Sequence, residues 1–167
     1  MANYDNPDGF APVGVAYGTN EYTASATIAK GDALAIVSGE VLPYAIATHD
    51  LIVGVAAEAA AANETLLVWD DPRQEFQGQC SGTYAATMNG ERLDIEGTTG
   101  IMEVNENATV KTLVALINHY PIPGSEDIGA NSRVRFKIAK HQLVADANLA
   151  STQSMTGTLS VDTIAEY

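Results

Sequence analysis

The chain is poor in cysteine, in aromatic side chains and in positive charge. A single cysteine, Cys80, excludes an intrachain disulfide. Three Phe and one Trp in 167 residues leave a core built largely of alanine and aliphatic side chains. Such a core buries less area per residue than one of leucine and phenylalanine, and it gains from contact with a partner. Only 8 Lys and Arg stand against 21 Asp and Glu, giving a net charge of -13. That balance disfavours nucleic acid as a partner, because neutralising phosphates takes a basic field. It also favours solubility at high concentration. No apolar run is long enough for a membrane span: the longest, near residues 51–62, is alanine-rich and interrupted by Glu58. The first five residues are polar and acidic and do not form a basic segment leading into an apolar one. A secretion signal is therefore not expected, and synthesis in a cytoplasm is.

Catalytic signatures are missing as well. There is no Gly-x-Ser-x-Gly elbow, no phosphate-binding Gly-x-x-x-x-Gly-Lys loop and no Gly-x-Gly-x-x-Gly turn. His49, His119 and His141 form no close-spaced metal pair and read as surface or loop residues. Asp70-Asp71 is the sharpest acidic pair. Neighbours in an extended segment point to opposite sides, so the pair reads as a strand terminator accepting backbone N–H bonds ahead of Pro72. Glu126-Asp127 lacks the spaced carboxylates of a calcium loop and reads the same way. Cys80 alternates with Phe76 and Gly78 on an apolar face, so it reads as a small core residue. The expectation is no catalytic residue, no cofactor and no metal site.

What the sequence does contain is a succession of short β patterns with turn signals every ten or so residues. Residues 22–28 alternate. Residues 33–37 place Leu34 and Ile36 on one face, and Ser38-Gly39 turns the chain into 41–44. Residues 51–56 form an apolar run with Gly54 inside it, as at a barrel bend. Residues 65–69 are apolar on both faces, as in a central strand, and 75–81 alternate cleanly. Residues 84–97 suit a short helix or an irregular excursion, while 100–104 and 109–117 read as strands. There is no βαβ alternation and no long amphipathic helix. The pattern predicts a mainly β chain, a small β-barrel or β-sandwich with few or no long helices. It divides into an extended N-terminal arm (1–14, with Pro7, Gly9, Pro12 and Gly14), a single β domain (15–145) and a polar C-terminal strand or arm (146–167).

One strand stands out. Arg133, Arg135 and Lys137 alternate with Val134, Phe136 and Ile138, and Lys140 extends the charge. Half of the basic residues thus fall on one strand of an acidic chain. That clustering predicts an outward basic face at an interface with acidic groups of another chain, with the three apolar residues turned inward.

Four segments carry a resemblance: Lys30-Gly31-Asp32-Ala33-Leu34; Leu51-Ile52-Val53-Gly54-Val55-Ala56-Ala57-Glu58; Leu67-Val68-Trp69-Asp70-Asp71-Pro72 with Phe76-Gln77; and Ala115-Leu116-Ile117-Asn118-His119 followed by Gly129-Ala130-Asn131-Ser132-Arg133-Val134. In this order and spacing, over residues 20–141, they resemble the capsid decoration (cement) proteins of tailed bacteriophages. The resemblance implies a non-enzymatic, mostly β protein. It would act as a homotrimer on the exterior of the virion, bound to the major capsid protein and cementing neighbouring capsomers, with no nucleic acid or membrane partner. A carbohydrate-binding β module of a phage head or tail fibre is the alternative. It would require exposed aromatics on one face, for which Trp69 and the tyrosines are the candidates.

Overall fold

The computed structural model describes residues 3–107, 109–116 and 128–144. The described chain is mainly β, as its pattern predicts. The strands are β1 (Ala11–Val13), β2 (Asn20–Thr23), β3 (Ala33–Val37), β4 (Glu40–Pro43), β5 (Gly54–Ala56), β6 (Thr65–Trp69), β7 (Glu75–Gln79), β8 (Arg92–Glu96), β9 (Glu103–Asn105), β10 (Leu113–Ala115) and β11 (Arg133–Ile138). The only helical element among the described residues is a single 3-10 turn, Ala86–Met88. His119, Glu126, Asp127 and the C-terminal strand or arm fall outside the described residues.

Two antiparallel sheets form, ordered β1-β7-β11-β10-β8-β9 and β2-β6-β5-β3-β4. Each curls until distant strands meet. In the five-stranded sheet a parallel bridge between Ala24 and Val41 brings the end of β2 to β4. In the six-stranded sheet Cys80, just past β7, bridges Val104 of β9, and the Ser81 N–H donates to the Val104 carbonyl at 2.9 Å. The β3–β4 hairpin shows how sequence dictates such geometry. Ser38 and Gly39 both take positive φ, 54° and 89°, giving the turn whose twist matches the flanking strands.

Two apolar clusters result, sharing a wall made of β3 and β5. Leu34 and Ala56 point into a cluster inside the five-stranded sheet, with Ile28, Val41, Val53, Leu66 and Val68. Ala33, Ala35 and Val55 point the other way, into a cluster holding Phe10, Phe76, Phe136, Tyr84, Leu93 and Leu113. Alternation along a strand makes this double service automatic. The small side chains of Ala33 and Ala35 let the wall approach the aromatic side closely. Gly54 serves the same end: a Cβ there would lie 2.2 Å from the Trp69 carbonyl oxygen across the β5–β6 pair.

Three sequence readings shift. Within 84–97, expected as a helix or excursion, only the 3-10 turn is helical, and β8 follows it with Leu93, Asp94 and Ile95 buried. The strands expected over 100–104 and 109–117 shorten to three residues each. Residues 1–14 are expected as an arm outside the barrel; the described part, residues 3–14, is laid on the chain's own six-stranded sheet. There β1 pairs with β7 (Ala11 opposite Gln77, Val13 opposite Glu75) and Phe10 is buried. Phe10 is the reason: its ring meets Phe136 edge to face, centroids 5.1 Å apart. An aromatic side chain gains too much by burial to stay in water.

Candidate docking face

The basic strand is β11, between β7 and β10 in the six-stranded sheet. Val134, Phe136 and Ile138 are buried in the aromatic cluster and their basic neighbours lie on the opposite face, as the alternation requires. The acidic groups that meet this face belong to the chain itself. The Arg133 guanidinium, 9% exposed, donates to Asp8 Oδ1 at 2.6 Å. Arg135 donates through Nε to Glu75 Oε2 at 2.6 Å and also through Nη2, and Lys137 Nζ lies 3.5 Å from Glu75 Oε1. The register explains the pairing, since Lys137 lies directly opposite Glu75 on β7. The strip's charges are therefore partly met in cis, where the sequence reading placed their partners on another chain.

One end of the strip opens into a cavity of about 310 Å³. Arg135, Lys137 and Glu75 line it from the sheet, Tyr17 from the β1–β2 connection and Arg73 from the β6–β7 turn. The Arg73 guanidinium stacks 4.4 Å from the Tyr17 ring centroid and is held in a fork by Asp71, through Nε at 3.0 Å and Nη2 at 2.7 Å. That hydrogen bonding holds the Asp71 carboxyl at about 2, well below the usual carboxylate range. Three cations thus surround one cavity whose only lining carboxylate among the described residues is Glu75, on a chain of strongly acidic balance. Of the four basic residues singled out from sequence, Arg135 and Lys137 reach this cavity. Arg133 lies under the N-terminal segment, and Lys140, past the end of β11, is not among the lining residues.

The other candidates take structural parts. Asp70 is buried at the end of β6. Its carboxylate accepts from Asn20 Nδ2 at 2.9 and 3.0 Å and from the Tyr22 hydroxyl at 2.6 Å, tying β2 to β6. Burial, then the bond to Asp70 and its charge, push the Tyr22 phenol above its ordinary value. Asp71 accepts the Arg73 backbone N–H at 2.8 Å, the turn chemistry expected ahead of Pro72. Cys80 is fully buried. Burial pushes its thiol up to about 12, with the Glu106 and Glu103 carboxylates adding to the effect against the Gly82 N–H. His141, read as a surface or loop residue, is 5% exposed instead. Its backbone forms a parallel bridge with Ile52, which takes the imidazole inside, and burial lowers its pKa despite the charges of Asp70 and Asp71. His49 does lie in a loop, its Nδ1 accepting the Ala45 N–H at 3.1 Å.

Sequence reasoning missed Arg73 and Tyr17, which complete the cavity, and Gln74 and Gln79, which fix the N-terminal segment. Gln74 precedes β7 and Gln79 ends it, and they are only 1% and 2% exposed. Gln74 Nε2 donates to the Val13 carbonyl at 3.2 Å, and its Oε1 accepts the Tyr17 N–H at 3.1 Å. Gln79 Nε2 donates to Asp5 and to Glu103, and its Oε1 accepts the Asn6 N–H at 2.8 Å. A signal existed for the glutamines, since both bracket an alternating strand. Nothing local distinguishes Arg73 or Tyr17, which reach the cavity only through the turn and the connection that carry them. No protein-family model and no curated protein sequence matches the chain.

Proposed function

We propose that the protein is a non-enzymatic structural protein of a phage head, which binds the outer capsid lattice as a homotrimer and cements neighbouring capsomers. The observation that carries the reading is the cavity at the end of the basic strip. An acidic chain gathers Arg73, Arg135 and Lys137 around one opening and, among the described residues, faces it with a single lining carboxylate, Glu75. That arrangement suits a carboxylate presented by a partner protein, which would compete with Glu75 for Arg135 and Lys137. Each exposed contact contributes little alone, about 0.2–1 kcal/mol, but three copies engage together and gain by effective concentration. The four sequence segments that resemble decoration proteins are the reason for taking the lattice to be a phage capsid.

Co-sedimentation with empty heads tests the reading, alongside the native mass of the pure protein. Trimers that pellet with heads, and that are released as salt rises, are expected. A protein that stays in the supernatant at low salt would remove the proposal. The carbohydrate alternative draws less support, because Trp69 is only partly exposed and packs against the aromatic cluster. Titration with neutral and acidic glycans separates the two readings.

A further inference from the structure

β1 is an addition to a sheet that closes without it. The bridge from Cys80 to Val104 joins β7 to β9, so β7, β11, β10, β8 and β9 form a ring by themselves. β1 occupies the part of the β7 edge that this bridge leaves open, from Glu75 to Gln77. The groove it fills is built for an extended segment with an aromatic side chain. A Cβ on Gly78 would lie 2.3 Å from the Phe10 ring, so glycine is what makes the slot. Phe136 forms one wall of it. Around the slot, buried side chains hold the segment along its length: Gln79 takes Asp5 and Asn6, Arg133 takes Asp8, and Gln74 takes the Val13 carbonyl.

These contacts divide cleanly in the chain. Every group that the segment contributes comes before Gly14, and every group of the groove comes after the connection 14–19 that leads to β2. Gly14 sits at φ 73°, and a Cβ on it would lie 3.1 Å from the Arg135 guanidinium. The connection is six residues long and largely exposed. Short connections under conformational constraint are where identical elements exchange between copies.

We propose that β1 exchanges between copies, residues 3–13 of one chain filling the groove of a second, with the donor's Phe10 seated beside the acceptor's Gly78 and Phe136. This rests on the oligomeric reading above and names the segment that joins the copies. All the groove contacts are recovered in the exchanged state, so the two forms differ mainly in the path of the connection and in local concentration. A segment tethered to its own groove has an effective concentration on the order of millimolar. Exchange therefore grows with protein concentration and is favoured where copies crowd on a lattice.

Ala11 and Gln77 are opposite one another in the ladder, and that pair is the test. Full-length Ala11→Cys and Gln77→Cys proteins are mixed at concentrations approaching millimolar under mild oxidation. A disulfide-linked heterodimer is expected, its yield rising with concentration. Adding Phe10→Ala to the Ala11→Cys chain should abolish it, and adding Gly14→Ala, which strains the cis connection, should raise it about fivefold. Both cysteines in one chain should form the intrachain bond in dilute solution, which shows that the pair is competent and the fold intact. If the double variant closes while the mixture yields no more heterodimer than a mixture of Gln77→Cys with Thr98→Cys, a site remote in sequence from β1, exchange does not occur. The assay contains no capsid, so its failure leaves docking of the basic face to be judged by co-sedimentation alone.

Discussion

The two sheets solve the same packing problem with different materials. The five-stranded sheet encloses an aliphatic cluster of Ala, Val, Leu and Ile. The six-stranded sheet packs Phe10, Phe76, Phe136 and Tyr84, and it draws buried polar groups, Gln74, Gln79, Asp94 and Arg133, into its periphery. The aliphatic side relies mostly on alternation, with the buried carboxylates of Asp32 and Asp70 at its edges. On the aromatic side Gln74, Gln79, Asp94 and Arg133 take partners that come mostly from loops and from the N-terminal segment. The side with more polar bookkeeping is also the one that carries the basic face.

The largest break in this comparison is Phe136→Ala. Phe136 is fully buried and touches both Phe10 and Phe76. Truncation should cost about 4 kcal/mol, against about 3 kcal/mol for Leu66→Ala in the aliphatic cluster. Both variants should unfold in a single transition by circular dichroism and by Trp69 fluorescence, because the β3–β5 wall serves both clusters. Separate transitions for the two probes would show that the sheets are independent units.

Two buried aspartates sharpen the contrast. Among the described residues Asp32 accepts only the Ala29 and Gly100 N–H groups, at 2.8 and 2.7 Å, and burial raises its pKa in spite of them. Burial acts on Asp94 too, but the N–H groups of Thr112, Thr109, Val110 and Lys111 outweigh it and hold the carboxyl below its ordinary value. The signs then differ. Asp94 contributes stability above the unfolded carboxyl value near 3.8, and loses it as pH falls through the lower folded value. For Asp32 the stability is present below 3.8 and is lost as pH rises through the raised folded value. Asp94→Asn should therefore cost about 3 kcal/mol at neutral pH, because buried donors lose their acceptor. Asp32→Asn should cost less there, since a buried charge leaves with the bonds. Urea midpoints measured from pH 7 to pH 3 should bring the two variants together. A constant gap would mean that donor count does not set the difference.

How much of this was legible in the sequence depends on whether a residue acts through its own strand. The faces of β3, β7 and β11, the Ser38-Gly39 hairpin and the Asp71 turn follow from period two and turn chemistry, which are local. β1 is three residues long with a proline in the middle, and only the distant Gly78 and Phe136 make Phe10 a core residue. β8 was obscured because Asp94 occupies a buried position, which looks polar until its backbone donors are known. The cavity was half legible: Arg135 and Lys137 announce themselves by alternation, whereas Arg73 and Tyr17 arrive on loops.

Two glycines distinguish the sheets by what lies over them. At Gly54 an added Cβ would meet the Trp69 backbone, which cannot yield without breaking the β5–β6 ladder. At Gly78 it would meet the Phe10 ring, on a segment that can lift away. Gly54→Ala should destabilise by about 3 kcal/mol and Gly78→Ala by about 1–2 kcal/mol. Limited proteolysis should cut Gly78→Ala selectively in the first fourteen residues while the rest resists. Equal costs and no selective cleavage would mean that Phe10 is held as firmly as the ladders.

The smallest effects on stability belong to the basic face, and their smallness is the point. Arg73 and Lys137 are exposed, with side-chain accessibilities of 69% and 39%, and Arg135 is 34% exposed. Exposed ion pairs contribute about 0.2–1 kcal/mol each, because water already solvates the charges well. Replacing all three with glutamine also leaves Glu75 without its cations, but that carboxylate is partly exposed and water can take their place. The melting transition should therefore move by no more than a few degrees. Association is another matter, since it concerns charges on two chains that must both lose water. An acidic protein meeting an acidic surface is repelled unless such a strip intervenes. The triple variant should thus bind heads or its own copies more weakly at low salt, and its binding should respond less to added salt than the parent's. A variant that keeps its stability but loses salt-dependent association marks the strip as a docking face. One that assembles like the parent at every salt concentration marks it as a solvated surface whose cations serve only Glu75, Asp8 and Asp71.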